Sequence, residues 1–283
     1  MPYQQRIDRR RPGCFLFLVD QSGTMQQAIG GSAQVRKGQA LSDTVNDVLY
    51  AVLIECTKDV REEEPRHYFD VGVIGYGGPG TVVPVVGGDG RDPLVPSAHL
   101  PRYARVETRE KLLPDGEGRY RPVSRRSMVW LDPVWHGSTP MCAALQYAHK
   151  VLKRWAARHR DSFPPIVLHV TDGMATDGDP RRAAARLRRL RTADGRLLLF
   201  NLHLSARGEQ AVYFPSAPVG GADPATALLY EMSSELPAGL VEEAGYADRI
   251  APGARGFVYN ADVPELVDFM RIGTATTGRV RAG

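Results

Sequence analysis

The feature that most constrains the fold is a run of six apolar residues, from Cys14 to Val19. A strand without polar side chains must be covered on both faces, which is typical of a parallel sheet flanked by helices. Helical patterns alternate with further strand patterns along the chain, the strands falling at 68–78, 164–173, 196–204 and 256–261. This alternation predicts an α/β fold of βαβ units, with a mostly parallel sheet that is covered by helices on both faces. The helices are expected at 37–57, 136–160, 179–191, 225–236 and 263–272.

Two segments depart from the alternation. Residues 81–86 read as an edge strand that pairs with the strand before it, because Pro84 cannot donate a hydrogen bond to a ladder. Prolines and glycines punctuate residues 87–130, which predicts an irregular Pro/Gly-rich insertion with a hairpin near Pro114. We therefore expect a flexible N-terminus over 1–11, a single domain over 12–273 and a flexible tail over 274–283.

Composition excludes several classes of protein. The 283 residues carry a net charge of +4, with a pI near 9.0, which is mildly basic and does not require nucleic acid as a partner. Three widely spaced cysteines provide neither a disulfide framework nor a zinc pattern. No window approaches the length of a membrane span, and the first apolar run is too short for a signal sequence. The expectation is a soluble cytoplasmic protein, with Cys14 and Cys56 as small core residues.

Oxygen-bearing side chains follow the predicted strands at three places. Asp20, Ser22 and Thr24 come after the first strand, Thr139 lies in a loop that opens a helix, and Asp172 closes a later strand. Ligands of open α/β sheets bind outside the carboxyl ends of the strands. Two carboxylates and three hydroxyls suit a hard divalent cation such as Mg²⁺, and the absence of His and Cys from this set argues against zinc.

These residues resemble a known family. Asp20-Gln21-Ser22-Gly23-Thr24, then Gly137-Ser138-Thr139-Pro140-Met141, then Thr171-Asp172-Gly173 are similar to the three parts of a metal-ion-dependent adhesion site (MIDAS). That site belongs to the von Willebrand factor A (VWA) domain, whose pattern is Asp-x-Ser-x-Ser, a distant Thr, and an Asp in a TDG-like turn. The resemblance covers roughly residues 12–272 and implies the family's α/β fold, a doubly wound, mostly parallel Rossmann-like sheet with helices on both faces. Thr24 departs from the family's usual Ser, which keeps the hydroxyl but stiffens χ1.

The resemblance implies roles for five residues. Ser22 and Thr24 would contact the metal directly, Asp20 and Asp172 would act mainly through bound water, and Thr139 would join when a partner binds. The metal would be Mg²⁺ or Mn²⁺, ahead of Ca²⁺, and an acidic residue of a partner protein would complete its shell. This implies metal-dependent protein binding rather than catalysis. The one-domain, Arg-rich chain looks most like stand-alone bacterial VWA proteins of the tellurium-resistance-associated type, which belong to stress or defence systems.

Two other functions stay open on the residues alone. The same oxygen-rich site could serve a metal-dependent phosphohydrolase, although the sequence shows no general base or phosphate-gripping Lys near it. Alternatively, the chain could be a structural subunit with an incidental metal site. A hydrolase triad of Ser22, His136 and Asp172 is disfavoured because no G-x-S-x-G elbow is present.

Four further patterns have simpler interpretations. Gly75 to Gly80 fits GxGxxG but precedes a strand pattern, so we interpret it as a turn between strands. Asp177 or Asp179 should cap the following helix. Trp130 and Trp135 are expected in the core, and as interface anchors if exposed.

The basic residues of the helices at 136–160 and 179–191 read as solvated faces that could meet an acidic protein. Nucleic acid is disfavoured as a partner because aromatic residues are not interleaved with these basic residues.

Overall fold

The computed structural model of the chain describes residues 2–29, 35–57, 64–78, 82–87, 92–114, 120–204, 210–219, 224–243, 248 and 250–261. Five α-helices lie within this part: α1 (Lys37–Glu55), α2 (Met141–Arg158), α3 (Arg181–Arg188), α4 (Pro224–Met232) and α5 (Ala238–Glu243). Of the helices described, none is long and apolar enough to cross a membrane. The helix expected at 263–272 lies outside the described residues.

The strands of the main sheet follow the predicted alternation. They are β1 (Gly13–Asp20), β2 (Phe69–Tyr76), β3 (Val82–Val86), β4 (Val95–Pro96), β7 (Ile166–Thr171), β10 (Leu198–Leu204), β11 (Val212–Tyr213) and β12 (Phe257–Ala261). Four further strands form two hairpins outside the main sheet. One pairs β5 (Arg105–Pro114) with β6 (Tyr120–Val129), and the other pairs β8 (Arg191–Thr192) with β9 (Gly195–Arg196).

The main sheet is mixed, with a parallel centre. Its strand order is β11-β12-β10-β7-β1-β2-β3, and β4 pairs with β2 next to β3. The five central strands run parallel, whereas β3, β4 and β11 are antiparallel to their neighbours. The predicted pairing of residues 81–86 with the strand before them is confirmed, and the strand that contains Pro84 is at the end of the sheet.

The apolar run from Cys14 to Val19 is buried on both faces of the sheet. Along β1, alternate residues point to opposite sides. Phe15 and Phe17 join the core cluster that includes Val45 of α1, whereas Leu16 joins the cluster that includes Leu145 of α2 and residues of α3 and α4. Each fully buried apolar side chain of this kind contributes roughly 1.5–3 kcal/mol. Cys14 and Cys56 are buried and free, as predicted for small core residues.

The segment over 87–130 is more regular than we expected. The hairpin near Pro114 is confirmed, but its two strands are ten residues each and pair from Arg105 with Val129 to Pro114 with Tyr120. A 3₁₀ helix, Ser97–Tyr103, precedes it. The expectation of an irregular insertion was wrong for the described residues, because their prolines do not interrupt the ladder: Pro114 ends β5, and Pro122 pairs with Leu112 within β6.

Residues 2–11, expected as a flexible terminus, make contacts with the rest of the chain. Ile7 is fully buried in the core, and the backbone amides of Gln4 and Gln5 donate to the carboxylate of Asp194. The buried Trp130 donates its indole N–H to the carbonyl of Leu100, which confirms its core role.

Candidate metal centre at the carboxyl edge of the sheet

The two predicted carboxylates lie at the point where the strand order reverses. The chain leaves β1 for β2 on one side of the sheet and later returns to β7 on the other side. Because β1 and β7 are parallel neighbours, their carboxyl ends meet at one edge. Asp20 is the last residue of β1, and Asp172 directly follows β7. Ligands of open α/β sheets bind at such a switch point.

The loop after β1 links the two carboxylates through its hydroxyls. The Ser22 backbone amide donates to Asp20 Oδ1 at 2.8 Å. The Ser22 and Thr24 hydroxyls lie 3.1 Å apart, and Thr24 Oγ1 donates to Asp172 Oδ1 at 2.7 Å. Four of the five predicted site residues therefore form one hydrogen-bonded cluster.

The Asp20 carboxylate is held in a buried position. The residue is 1% exposed, and its second oxygen accepts a hydrogen bond from the Thr171 hydroxyl. Burial raises the pKa of Asp20 to about 6, the charge of Asp172 acts in the same direction, and hydrogen bonds from Thr171 and Ser22 oppose the rise. A carboxylate in this setting is stabilised by any cation placed beside it.

The fifth predicted residue, Thr139, lies in a loop held against the first one. The Gly23 amide donates to the Gly137 carbonyl at 3.1 Å, and the His136 amide donates to the Gln21 carbonyl at 2.7 Å. Thr139 is 7% exposed, and its hydroxyl has no hydrogen-bond partner in the part of the chain that the structure describes. Its backbone is fixed by Thr176, whose hydroxyl accepts from the Thr139 amide and whose amide donates to the Thr139 carbonyl.

Two glycines allow these loops to approach each other, and sequence reasoning missed their role. Gly77 has a φ of +102°, and a Cβ there would lie 2.6 Å from the Ser138 carbonyl oxygen and 2.7 Å from the Ser22 nitrogen. Gly137 has a φ of +73°, and its Cβ would lie 2.5 Å from the Gly77 carbonyl oxygen. Gly77 belongs to the GxGxxG match, which begins in the last two residues of β2. Of its described residues, Gly77 and Gly78 follow that strand, and the next described element is the antiparallel β3, which agrees with the turn interpretation.

A lysine that sequence reasoning also missed lies beside Asp172. Lys37 Nζ donates to Asp172 Oδ2 at 2.8 Å and to the Gln27 side-chain oxygen at 3.1 Å. The side chains of Lys37 and Asp172 are only 4% and 1% exposed. In the sequence, Lys37 is simply the start of a helical pattern 135 residues away from Asp172, so no local signal reveals the ion pair.

Ser22, His136 and Asp172 are not joined by hydrogen bonds in the way that a hydrolase triad would be. Ser22 pairs with Thr24, and Asp172 pairs with Thr24 and Lys37. The His136 ring forms no hydrogen bond to Ser22 or Asp172, all three being described residues.

The two neighbouring aspartates cap different helices. Asp179 accepts from the Arg181 amide at the start of α3, as expected for a cap of the following helix. Asp177 instead accepts from the amides of Cys142 and Ala143 in the first turn of α2, at 3.0 and 2.8 Å. The helix that starts beside Thr139 is therefore capped by a residue from the loop after β7.

The donors fit a hard divalent cation and no softer metal. Across the residues described, no group of three or more His, Cys, Asp or Glu side chains could hold a metal ion, so any site here must combine the two carboxylates with hydroxyls. In an octahedron with bonds of about 2.0–2.1 Å, adjacent oxygens lie about 2.9 Å apart. The separation of the Ser22 and Thr24 hydroxyls, 3.1 Å, is close to that value. The unpartnered hydroxyl of Thr139 adds a further available oxygen.

Comparisons with known proteins leave the family open. No family model and no curated protein sequence matches the chain. Among solved structures, the chain is similar to proximal thread matrix protein 1 from the mussel byssus, with 11% identity and a TM-score of 0.42 over 94% of this chain. It is also similar to manganese-loaded TRAP protein of Plasmodium vivax, with 13% identity and a TM-score of 0.35 over 70% of this chain. The matches span 48% and 59% of those longer chains.

Proposed function

We propose that this chain is a VWA-type interaction module that binds Mg²⁺ or Mn²⁺ and recruits a protein through an acidic side chain. One observation carries the proposal: residues from three distant segments, with the spacing of an adhesion-site motif, converge at the switch point between β1 and β7. The doubly wound VWA fold is part of this proposal, as is the placement among cytoplasmic bacterial proteins of stress or defence systems.

Two kinds of side chain would hold the ion, hydroxyls and carboxylates. Ser22, Thr24 and Thr139 offer hydroxyl oxygens, while Asp20 and Asp172 offer negative charge and accept hydrogen bonds. When bound, the divalent ion would supply an electrophilic position for a carboxylate of the partner. Two carboxylates are few for a divalent cation, and a third from the partner would balance its charge.

Exposed basic residues support an acidic partner. Five lysines and arginines on α2 and α3 are exposed and form no ion pair within the described part of the chain: Lys150, Lys153, Arg154, Arg182 and Arg186. Complementary charge accelerates association and steers the partner's orientation. An acidic protein surface could use this face in addition to the metal.

The first test is direct ion binding. We expect titration calorimetry of the full chain to detect Mg²⁺ and Mn²⁺, and Asp20→Asn to weaken both at least tenfold. Asp161→Asn is the matched control, because it removes an equal charge at an exposed position outside the cluster. No detectable binding of either ion at millimolar concentration, or equal losses in the two variants, would contradict the metal site.

The second test concerns the partner. Proteins captured from host lysate with Mg²⁺ but not with EDTA, and lost with Asp20→Asn, would support recruitment through the ion. A captured set that ignores both the chelator and the substitution would instead favour the structural subunit with an incidental site. Turnover of phosphate esters that is abolished by Asp172→Ala would favour the phosphohydrolase, since we propose no catalytic role.

A further inference from the structure

The candidate metal centre already contains a cation that belongs to the chain. Lys37 is almost fully buried, and its ammonium lies 2.8 Å from Asp172 Oδ2. Its position is well defined, because the Lys37 amide donates to the Gln27 carbonyl and its ammonium donates to the Gln27 side-chain oxygen. The ammonium therefore reaches the cluster from a fixed point on α1.

The first residue of a helix is an unfavourable position for a buried lysine. Lys37 is the first residue of α1, where the positive end of the helix dipole repels cations. Burial of an ammonium adds a desolvation penalty, which only a close partner of opposite charge offsets. The carboxylate of Asp172 offsets both the desolvation penalty and the repulsion by the helix dipole. The ion pair therefore fixes the position of the Lys37 side chain.

The pair changes the charge that an incoming ion meets. With Lys37 in place, the formal charge of Asp20, Asp172 and Lys37 together is −1, whereas the two carboxylates alone carry −2. A divalent ion near Asp172 would also lie close to the ammonium, and like charges at such short range in a partly buried site repel strongly.

We propose that Lys37 is a tethered cation that competes with the divalent ion for Asp172. The ammonium of Lys37 partly neutralises the Asp172 carboxylate, 2.8 Å away. A divalent ion whose bound water donates to Asp172 must displace the ammonium from that carboxylate, so Lys37 lowers the affinity of the site. This inference rests on the proposed metal-binding function and adds to it a residue that the adhesion-site motif does not contain.

The test compares ion affinity in variants of the full chain. Lys37→Met removes the charge and keeps an apolar stem of similar length, and we expect it to bind Mg²⁺ and Mn²⁺ at least tenfold more tightly than the unmodified protein. Lys37→Gln, which can still donate to Asp172, should also bind more tightly and serves if the Met variant is poorly folded without metal. Arg36→Met is the matched control, because Arg36 is exposed and lies over the Trp135 ring rather than at Asp172.

A second readout follows the lysine itself. Acylation of Lys37 by an amine-reactive ester, followed by peptide mass spectrometry, should be slow without metal and faster at saturating Mg²⁺, while exposed Lys153 reacts at a constant rate. Unchanged affinity in both Lys37 variants, an equal gain in Arg36→Met, or an unchanged acylation rate of Lys37 would overturn the competition and leave the metal site intact. Absence of ion binding in every variant would overturn the metal-binding function as well.

Discussion

At the scale of single residues, Gly77 sets how closely the loops of the candidate metal centre approach each other. We expect Gly77→Ala to lower the free energy of unfolding by about 1–3 kcal/mol, because its φ is positive and a Cβ would meet backbone atoms of Ser22 and Ser138. Urea denaturation at pH 7 measures the change. Gly173→Ala is the control, since a Cβ there meets nothing within 4 Å, and equal losses at both positions would contradict the steric explanation.

At the scale of secondary-structure elements, a buried polar chain connects three strands and a helix. The Tyr76 hydroxyl of β2 lies 2.6 Å from His169 Nε2 of β7, and His169 Nδ1 lies 2.7 Å from the Asn201 side-chain oxygen of β10. Asn201 then donates to Ser233, just after α4, at 2.8 Å. Since the Asn201 oxygen is an acceptor, His169 carries its proton on Nδ1 and accepts from Tyr76.

The buried histidine of this hydrogen-bonded series makes the free energy of unfolding depend on pH. Burial lowers the pKa of His169 to about 4, against 6.5 in the unfolded chain, and the Asn201 hydrogen bond only partly opposes the shift. The unfolded state therefore binds more protons between these values, and stability falls as pH drops from 6.5 to 4, by about 3 kcal/mol for this group. Asp20, whose pKa is raised to about 6, opposes this loss over the same pH range and is present in both proteins. The contribution of His169 is therefore the fall in stability of the unmodified protein relative to His169→Gln, measured by urea denaturation at pH 7, 5.5 and 4.5. An equally steep loss in the variant would assign it to other groups.

The first turn of α2 provides a second prediction at this scale. Asp177→Ala removes the carboxylate that accepts from two amides at the start of the helix. We expect a loss of about 0.5–2 kcal/mol, typical of a missing N-terminal cap, measured by urea denaturation. Asp177→Asn, which keeps one acceptor oxygen, should recover part of it. A free energy of unfolding of Asp177→Ala equal to that of the unmodified protein would show that this cap contributes nothing.

At the scale of the whole molecule, ion binding should raise the free energy of unfolding and therefore Tm. An ion that binds only the folded state at a concentration one hundred times its Kd stabilises by about 2.7 kcal/mol. For a chain of this size, that raises Tm by about 5–10 °C. Calorimetric scans with Mg²⁺ and with EDTA measure the shift, which Asp20→Asn should remove. A shift of the same size in that variant would place the bound ion elsewhere.

The sequence alone determined most of the strands, the burial of β1 on both faces and the segments that supply the site oxygens. These are local properties, since apolar runs and helical spacing are read within one segment. The hairpin near Pro114 was also predictable, because its turn residues lie next to each other in the chain. The length and regularity of the two strands on either side of that turn were not predictable. Proline and glycine indicate where the chain turns, but they do not indicate how long the strands between the turns are.

Only the tertiary structure decided which distant residues meet. The pairing of Lys37 with Asp172, the capping of α2 by Asp177 and the close approach of Gly77 to Ser22 all join segments that are far apart in sequence. Each depends on the order of strands in the sheet, which brings the ends of β1, β2 and β7 to one edge. A motif can state which oxygens are present, but the charge around them comes from side chains that the fold brings close, and electrostatic energy depends on distance in space rather than in sequence.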